Sequence, residues 1–144
     1  GALMMLVARA SGSVSLYDPA RPKPLKTWSS FSSGRPITRV LWSKTRPAVF
    51  FCSDSASKLY FFNILQDQGG PIHTESPSGD AEVAGLCVPD PGVGPRGSAK
   101  ATLCVAFRSG HVQLHTLAGK FAEQVKNEGE DVRALYGRWS SLAC

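Results

Sequence analysis

The sequence predicts an all-β protein built from short antiparallel strands. Apolar runs of about five to eight residues, rich in Val, Phe, Leu and Tyr, alternate with clusters of Gly, Ser, Pro and Asp, which is typical of strands joined by turns. Helical periodicity appears only in about the last 15 residues. The stretch PAVFFCSDSASKLYFFNIL, residues 47–65, shows the pattern most clearly, because a polar turn separates two strongly apolar segments.

The composition excludes several protein classes. A chain of 144 residues, 42% hydrophobic and 19% charged, suits a globular domain with a core of its own. The apolar run LMMLVA near the start is far shorter than the roughly 20 residues that a membrane helix requires. We therefore expect neither membrane insertion nor a signal peptide.

The charge balance makes nucleic acid a partner to consider. There are 16 Lys and Arg against 11 Asp and Glu, a formal net charge of +5. The basic residues are scattered, however, and the densest group, RPKPLK at residues 21–26, is interleaved with prolines as in a surface loop. We therefore expect no nucleic-acid partner, and a basic nucleic-acid-binding module is kept only as an alternative that would show a steep salt dependence.

Three hairpins repeat along the chain. Each has an apolar strand, a tight polar turn and a second strand, and the residues that open the second strands, Val14, Leu59 and Val112, lie 45 and 53 residues apart. A period of about 40–45 residues with several short strands is typical of a β-propeller blade. The Pro- and Gly-rich loop at residues 88–100 explains the longer second interval. The hairpins are LMMLVARASGSVSLYD, AVFFCSDSASKLYFFNI and ATLCVAFRSGHVQLHTL.

Further strands flank each hairpin as a blade requires. Inner strands are expected at ITRVLWS and EVAGLCV, and outer strands at PLKTWSS, PIHTES and KFAEQV. The predicted divisions are a partial blade at 1–34, a blade at 35–79, a blade at 80–127 that contains the inserted loop, and a helix with its tail at 128–144.

The predicted number of blades is smaller than a closed propeller requires. Propellers close with about four to eight blades, so two to three four-stranded blades cannot form a ring, and we expect the C-terminal part of a larger protein. Burial on both faces between neighbouring blades would explain the apolar hairpin at residues 47–65. An isolated fragment is then expected to self-associate through its exposed strand edges.

The repeats resemble those of the WD-repeat family. The dipeptide that names the family corresponds here to Tyr17-Asp18, Phe62-Asn63 and His115-Thr116. Only the first pair keeps an aromatic residue followed by Asp, so the Asp-His-Ser/Thr-Trp hydrogen-bond network of regular blades is not expected in its complete form. Within the family, the run ITRVLWSKTRPAVFFCSDSASKLYFFNIL resembles a blade of dynein intermediate chains. The residues that carry this resemblance are Val40, Trp42, Ser43, Arg46, Pro47, Ala48, Val49, Phe50 and Asp54.

Two departures from the cytoplasmic pattern favour the dynein-2 type: FFN in place of Trp-Asp, and Lys44 where proline is common. This resemblance implies a non-catalytic scaffold that binds the tail of a dynein heavy chain, with other motor subunits as partners. It also implies retrograde intraflagellar transport, cilium assembly, and a location in the cytoplasm, at the ciliary base and on the cytoskeleton. Light chains of such motors bind an extended N-terminal region, so none is expected here. The alternative is a WD-repeat peptide-binding adaptor of another pathway, which would use Arg and Lys at the central rim.

The end of the chain predicts a helix capped by Asp131. Its apolar residues Val132, Leu135, Tyr136 and Trp139 recur at the spacing of one helical face. Two interpretations follow: a terminal helix that packs on the last blade, or a partner-docking helix anchored by Trp139.

Candidate partner contacts elsewhere are Arg39, Lys44 and Arg46, with Lys44 and Arg46 expected at one rim. Trp28, beside the proline-containing loop at residues 21–26, is either a further partner contact or a residue packed on its own blade.

No catalytic, cofactor or metal site is expected. His111 and His115 would lie about 13 Å apart on a strand, too far to share a metal ion. The loop GVGPRGSAK lacks the Gly-Lys-Ser/Thr order of a phosphate-binding loop, and Asp18, Asp54 and Asp67 are expected in turns. The cysteines form no CxxC pair, and the three in apolar runs, Cys52, Cys87 and Cys104, are interpreted as small buried hydrophobic residues in a reducing compartment.

Overall fold

The computed structural model describes residues 4–77, 82–89, 102–117 and 126–142. In these ranges the chain forms ten strands in three antiparallel sheets, followed by a helix. The elements are β1 (Met5–Ala8), β2 (Val14–Tyr17), β3 (Lys26–Trp28), β4 (Ile37–Trp42), β5 (Val49–Asp54), β6 (Leu59–Asn63), β7 (His73–Glu75), β8 (Val83–Cys87), β9 (Thr102–Phe107), β10 (Val112–Thr116) and α1 (Glu128–Leu142).

Each predicted hairpin forms the core of one sheet. The strand orders are β1-β2-β3, β4-β5-β6-β7 and β8-β9-β10, so the hairpins are β1–β2, β5–β6 and β9–β10. Strand β4 of the second sheet lies beside β1 of the first sheet and β8 of the third. Neighbouring sheets that meet through such strands have the arrangement of propeller blades. The predicted all-β, propeller-type architecture with a C-terminal helix is therefore confirmed.

The three hairpin turns share one backbone geometry. In each, the first residue donates its amide to the carbonyl four residues later and accepts a bond from the amide three residues later. The first residues of the turns are Arg9, Asp54 and Phe107. These positions are separated by the same 45 and 53 residues as the hairpins. The residue three positions on has a positive φ each time: 90° at Gly12, 65° at Ser57 and 89° at Gly110.

The middle sheet explains the apolar hairpin at residues 47–65, because every residue of β5 and β6 is buried. On the side of the first sheet, the rings of Phe50 and Phe62 stack with centroids 4.3 Å apart. On the side of the third sheet, Phe51 and Phe61 meet edge to face at 5.5 Å. A strand pair covered on both faces has no solvent side that requires polar residues, which confirms the expectation from sequence.

Helix α1 begins at Glu128, three residues before the predicted cap. Asp131 therefore lies inside the first turn, where its amide bonds to the carbonyl of Asn127, and the prediction that Asp131 caps the helix is wrong. The acidic side chains of Glu128, Glu130 and Asp131 all lie in this turn. Negative charge at that end is favoured by the helix dipole, so the helix can start where the acidic run starts.

The predicted apolar face of α1 is present, and within the described part of the chain it packs on the first two sheets and not on the third. Val132, Leu135 and Trp139 are buried in one core with the first and second sheets. The described residues of the third sheet belong to a separate core that lies between it and the second sheet. Among the described residues, packing on the last blade is thus wrong, because the buried face of α1 contacts the core of the first two sheets, where Trp139 meets Trp28.

Two predicted segments lie wholly or largely outside the described residues. These are the outer strand at residues 120–125 and nearly all of the loop at residues 88–100. Within residues 4–77, 82–89, 102–117 and 126–142, no helix has the length and apolarity needed to cross a bilayer.

Candidate interaction surface

The four candidate contacts occupy two kinds of environment. Arg46 and Trp139 are buried, at 5% and 7% exposure, and Arg39 and Lys44 are exposed. Arg46 and Trp139 both contact residues within the chain and hold α1 in place. This leaves Arg39 and Lys44 as the candidates whose side chains reach solvent.

Arg46 lies in the loop between β4 and β5, which is held by its own hydrogen bonds. The hydroxyl of Ser43 accepts bonds from the amides of Thr45 and Arg46, and the carbonyl of Arg46 accepts one from Val49. The loop therefore presents the Arg46 guanidinium in a defined direction, toward α1.

The guanidinium of Arg46 meets the carboxylate of Glu128 in a buried ion pair. Nε donates to Oε1 and Oε2 at 2.9 and 2.8 Å, and a terminal nitrogen donates to Oε1 at 2.7 Å. Glu128 is 3% exposed. Several charge-assisted bonds to one carboxylate fix both position and orientation. Sequence reasoning missed Glu128; the only signal for it was an acidic residue at the helix start, which does not reveal a partner 82 residues away.

Trp139 anchors the other end of the helix. Its ring meets that of Trp28 edge to face with centroids 6.0 Å apart. Trp28 is itself buried and donates its Nε1 hydrogen to the carbonyl of Gln68. Arg21, from the Pro-rich loop, donates to the carbonyl of Ser140 at 3.1 Å. Of the two interpretations of Trp28, the structure therefore favours packing over external contact.

Arg39 connects two inner strands. Its guanidinium donates to the carbonyl of Thr38 on β4 and to that of Ala84 on β8, both at 2.8 Å. The side chain nevertheless remains exposed. Lys44 is exposed on the loop that Ser43 and Arg46 brace. The two residues therefore present positive charge at different points, one on the inner strand and one beyond its end.

The turn between β5 and β6 is organised by the carboxylate of Asp54, which is almost fully buried. Oδ1 accepts from the amides of Ala56 and Lys58, and Oδ2 accepts from the Tyr60 hydroxyl at 2.6 Å. Arg35 lies 3.7 Å from the same oxygen. Burial, with the bond to Asp54 as the next cause, raises the pKa of Tyr60 above its ordinary value. This second blade thus has a different network from regular WD repeats.

The first blade places a cation at the position of Asp54. Arg9 donates to the hydroxyls of Ser15 and Tyr17, the latter at 2.7 Å. Ser15 in turn exchanges a hydrogen bond with Thr27 at 2.8 Å. Side chains of the β1–β2 turn, of β2 and of β3 are linked in this way, so a polar network is present here too, with a cation in place of the carboxylate.

The second residue of the first two degenerate dipeptides keeps a structural role. Asp18 accepts a bond from the amide of Ala20, and Asn63 accepts bonds from the amides of Leu65 and Gln66. These turns explain why a short acceptor side chain is present at both positions of the degenerate dipeptide. Asp67 makes the same kind of turn with the amide of Gly69.

Two histidines, His73 on β7 and His115 on β10, form an inter-sheet contact through Glu75. His73 lies 3.0 Å and His115 3.6 Å from the carboxylate oxygens of Glu75. His115 also contacts the side-chain oxygen of Gln113 at 3.0 Å, whereas His111 is exposed at a turn. In the part of the chain that the structure describes, no three His, Cys, Asp or Glu side chains are grouped as metal ligands.

The face of the third sheet that points away from the second sheet is covered by no other described sheet, and it is called the open face below. Val112 and Leu114 are 57% and 70% exposed there. Cys87 is also exposed on this face, so its predicted burial is wrong, although Cys52 is buried as expected. The physical reason is that, in the first two sheets, the next sheet covers this face. The equivalent residues there, Val14, Leu16, Leu59 and Phe61, have exposures of 0 to 3%.

Comparison with known proteins gives relatives for this architecture. The chain is 30% identical over 132 residues to cytoplasmic dynein 2 intermediate chain 1 of Mus musculus, covering 92% of this chain and 13% of that protein. For the Homo sapiens protein of the same name, identity is 30% over 135 residues, 94% of this chain and 12% of the relative. The chain therefore spans about an eighth of the length of these curated relatives. No family model matches it.

A solved structure supports the fold independently. The crystal structure of Sqt1 from Saccharomyces cerevisiae superposes with a TM-score of 0.58, covering 79% of this chain and 28% of that chain at 16% identity. Sqt1 is a WD-repeat propeller, and at this identity the likeness concerns the fold alone. The chain therefore has the fold of WD-repeat β-propeller blades, and it is similar along almost its whole length to a dynein 2 intermediate chain.

Proposed function

We propose that this chain is a non-catalytic part of a scaffold in a dynein-2-like motor, where its propeller binds the tail of the dynein heavy chain. The activity served would be retrograde intraflagellar transport and cilium assembly, in the cytoplasm and at the ciliary base. The observation that carries the proposal is the 30% identity to a dynein 2 intermediate chain along 92% of this chain. The relatives are named as subunits of that motor, and blades of a propeller commonly serve as rigid binding surfaces.

The exposed part of the predicted rim supports a role in partner binding. Lys44 projects from a loop that is braced by the Ser43 hydroxyl and by the Arg46–Glu128 pair. A side chain on a braced loop loses less conformational freedom on binding than one on a loose loop. Arg39 adds an exposed guanidinium on β4. A partner that contacts these residues is expected to be acidic.

The experiment is quantitative affinity purification of the complete parent protein from ciliated cells. The test variant carries Arg39→Glu with Lys44→Glu, and the matched control carries Lys23→Glu, an exposed lysine on a different loop. Arg46 is left unchanged, since its reversal would disrupt the buried pair and confuse folding with binding. We expect the unaltered protein and the control to recover a dynein heavy chain, and the test variant to recover at least about tenfold less.

The outcomes separate the alternatives. If the test variant recovers as much heavy chain as the unaltered protein, Arg39 and Lys44 are not part of the interface. The assignment to the motor would still stand in that case. If the unaltered protein recovers no dynein subunit, the dynein assignment is wrong. An adaptor that binds acidic peptides through Arg39 and Lys44 would then be the surviving function, and loss of other partners in the test variant would identify it.

A further inference from the structure

Cys87 and Cys104 are directly opposite each other on neighbouring strands. Cys87 ends β8, the inner strand of the third sheet, and its register partner on β9 is Cys104. The next residue across the sheet in the same row is Leu114 on β10. Opposite residues of an antiparallel pair share one face, so both thiols belong to the open face of this sheet.

This row differs from the matching row of the second sheet. There the corresponding residues are Leu41, Phe51 and Phe61, which pack in the core between the second and third sheets. In the third sheet, the two positions nearest the inner edge both carry cysteine. Cys87 is exposed and Cys104 is partly buried. The exposed thiol is therefore open to a reagent in solution, and the second thiol lies beside it.

The two thiols also influence each other electrostatically. Burial raises the pKa of the Cys104 thiol, and the neighbouring Cys87 raises it further. The register of β8 and β9 places the two residues opposite each other, so their side chains lie side by side. Because the thiolate is the reactive form, Cys104 is the slower nucleophile at neutral pH, and exposed Cys87 is expected to react first.

We propose that Cys87 and Cys104 form a reversible cross-strand dithiol that a low-molecular-weight disulfide, such as glutathione disulfide, converts to an intrachain disulfide. The Cys87 thiolate attacks one sulfur of the oxidant, which forms a mixed disulfide and releases one thiolate. The Cys104 thiolate then attacks the sulfur of Cys87 and releases the second. The two protons lost by the cysteines leave with the two released thiols, so the oxidant is reduced and the pair is oxidised.

The geometry indicates that this disulfide would be easily reduced. Cβ atoms of opposite residues lie about 4.5–5.5 Å apart in antiparallel pairs, whereas disulfides need about 3.5–4.5 Å. Closing the bond therefore requires a small shift of β8 toward β9. An irregularity in the register between Val83 and Gly85, close to Cys87 on the same strand, makes that shift less costly. A bond formed under strain has a more oxidising potential and is reversed readily by thiols.

The test uses the complete 144-residue chain with Cys144→Ser, so that the remaining cysteine outside the described residues cannot compete. The folded chain is incubated with glutathione disulfide, free thiols are blocked with N-ethylmaleimide, and the products are identified by intact mass and peptide mapping. Cys52, which is fully buried, is the internal control. We expect a product that has lost two hydrogens and two blocking sites, with residues 87 and 104 linked, while Cys52 stays reduced until denaturant is added.

Single substitutions test the order of steps. In Cys104→Ser the reaction should stop at a mixed disulfide on Cys87, and this species should persist at least about tenfold longer, since the intramolecular second thiol is missing. In Cys87→Ser the reaction of Cys104 should be at least about tenfold slower than that of Cys87 in the starting chain. The proposal is overturned if the starting chain forms the mixed disulfide on Cys87 but never converts it to the Cys87–Cys104 disulfide. Equal reactivity of Cys52 overturns it as well, because selectivity for the cross-strand pair is its central claim.

Discussion

Arg46 and Glu128 form a buried ion pair that joins the loop between β4 and β5 to the first turn of α1. Three nitrogen–oxygen contacts of 2.7 to 2.9 Å connect the two side chains. The pair places a residue of the dynein-like sequence motif, Arg46, in an internal role. This buried, multiply bonded geometry explains the presence of arginine at this position without any external partner, because arginine is the cation best suited to buried carboxylates.

Removing one member of this pair should destabilise the chain strongly. Glu128→Gln removes the carboxylate that accepts three bonds from the buried Arg46 guanidinium, and we expect a loss of about 3–5 kcal/mol in the free energy of unfolding. The double variant Arg46→Met with Glu128→Met should lose less than either single variant, because no charge is then buried alone. Urea unfolding of the four proteins gives the coupling energy. Strictly additive losses would show that the two side chains do not interact.

Trp139 should contribute to stability through packing on Trp28. The substitution Trp139→Ala removes a buried indole from the core between α1 and the first two sheets, and it should cost about 3–5 kcal/mol. The control is Arg138→Ala, one residue earlier on the exposed face of the same helix, which should stay within about 0.5 kcal/mol. Equal effects in urea unfolding would mean that α1 does not dock as described.

The hairpin turns provide a comparison of steric and conformational effects. Gly12 and Gly110 have the same positive φ, but a Cβ at Gly12 would lie 2.6 Å from the Ser32 hydroxyl and 2.8 Å from the carbonyl oxygen of Arg35. Nothing lies within 4 Å of a Cβ at Gly110. Gly110→Ala should therefore cost only the roughly 1–2 kcal/mol of the left-handed backbone. Gly12→Ala should cost measurably more in thermal or urea unfolding, and equal losses would contradict the close approach.

Stability should fall at alkaline pH in a way that depends on Tyr136. Burial on α1 raises the pKa of Tyr136 to about 12, from an ordinary value of about 10. The folded state therefore favours the neutral phenol, and this contribution is complete below pH 10 and is lost as the pH rises from 10 to 12. Tyr136→Phe should reduce the decline measured by urea unfolding across that interval. Tyr60, whose pKa is also raised, should account for part of what remains. An unchanged pH dependence would show that Tyr136 is solvated.

Much of the fold could be predicted because its information is local. The three hairpins, their spacing and their turns follow from apolar runs separated by turn residues, and the structure places β1–β2, β5–β6 and β9–β10 at these positions. The aromatic residues of the middle sheet also predict burial on both faces from the sequence of β5 and β6 alone, without knowledge of the sheets that cover them. The start of α1 was misjudged because several acidic residues near it can each serve as a helix-start signal.

The candidate site was harder to predict, since exposure depends on residues that are distant in sequence. A basic residue beside a strand end, such as Arg46, has the same local sequence signal whether it faces solvent or a carboxylate 82 residues away. The same applies to Cys87, which has an apolar neighbourhood in sequence but lies on a face that no other described sheet covers. Lys44, in contrast, is exposed, and its place at a partner-binding rim stays a prediction.

The sequence by itself therefore determined the strands, the repeat period and the blade type, because these depend on alternation, turn chemistry and motif residues within about 45 positions of one another. Only the tertiary structure decided that α1 lies across the first two sheets, that Arg46 pairs with Glu128, and that Cys87 faces Cys104. These relationships depend on which surfaces remain to be buried once the sheets have assembled. Burial is a property of the whole packed chain and of no single segment.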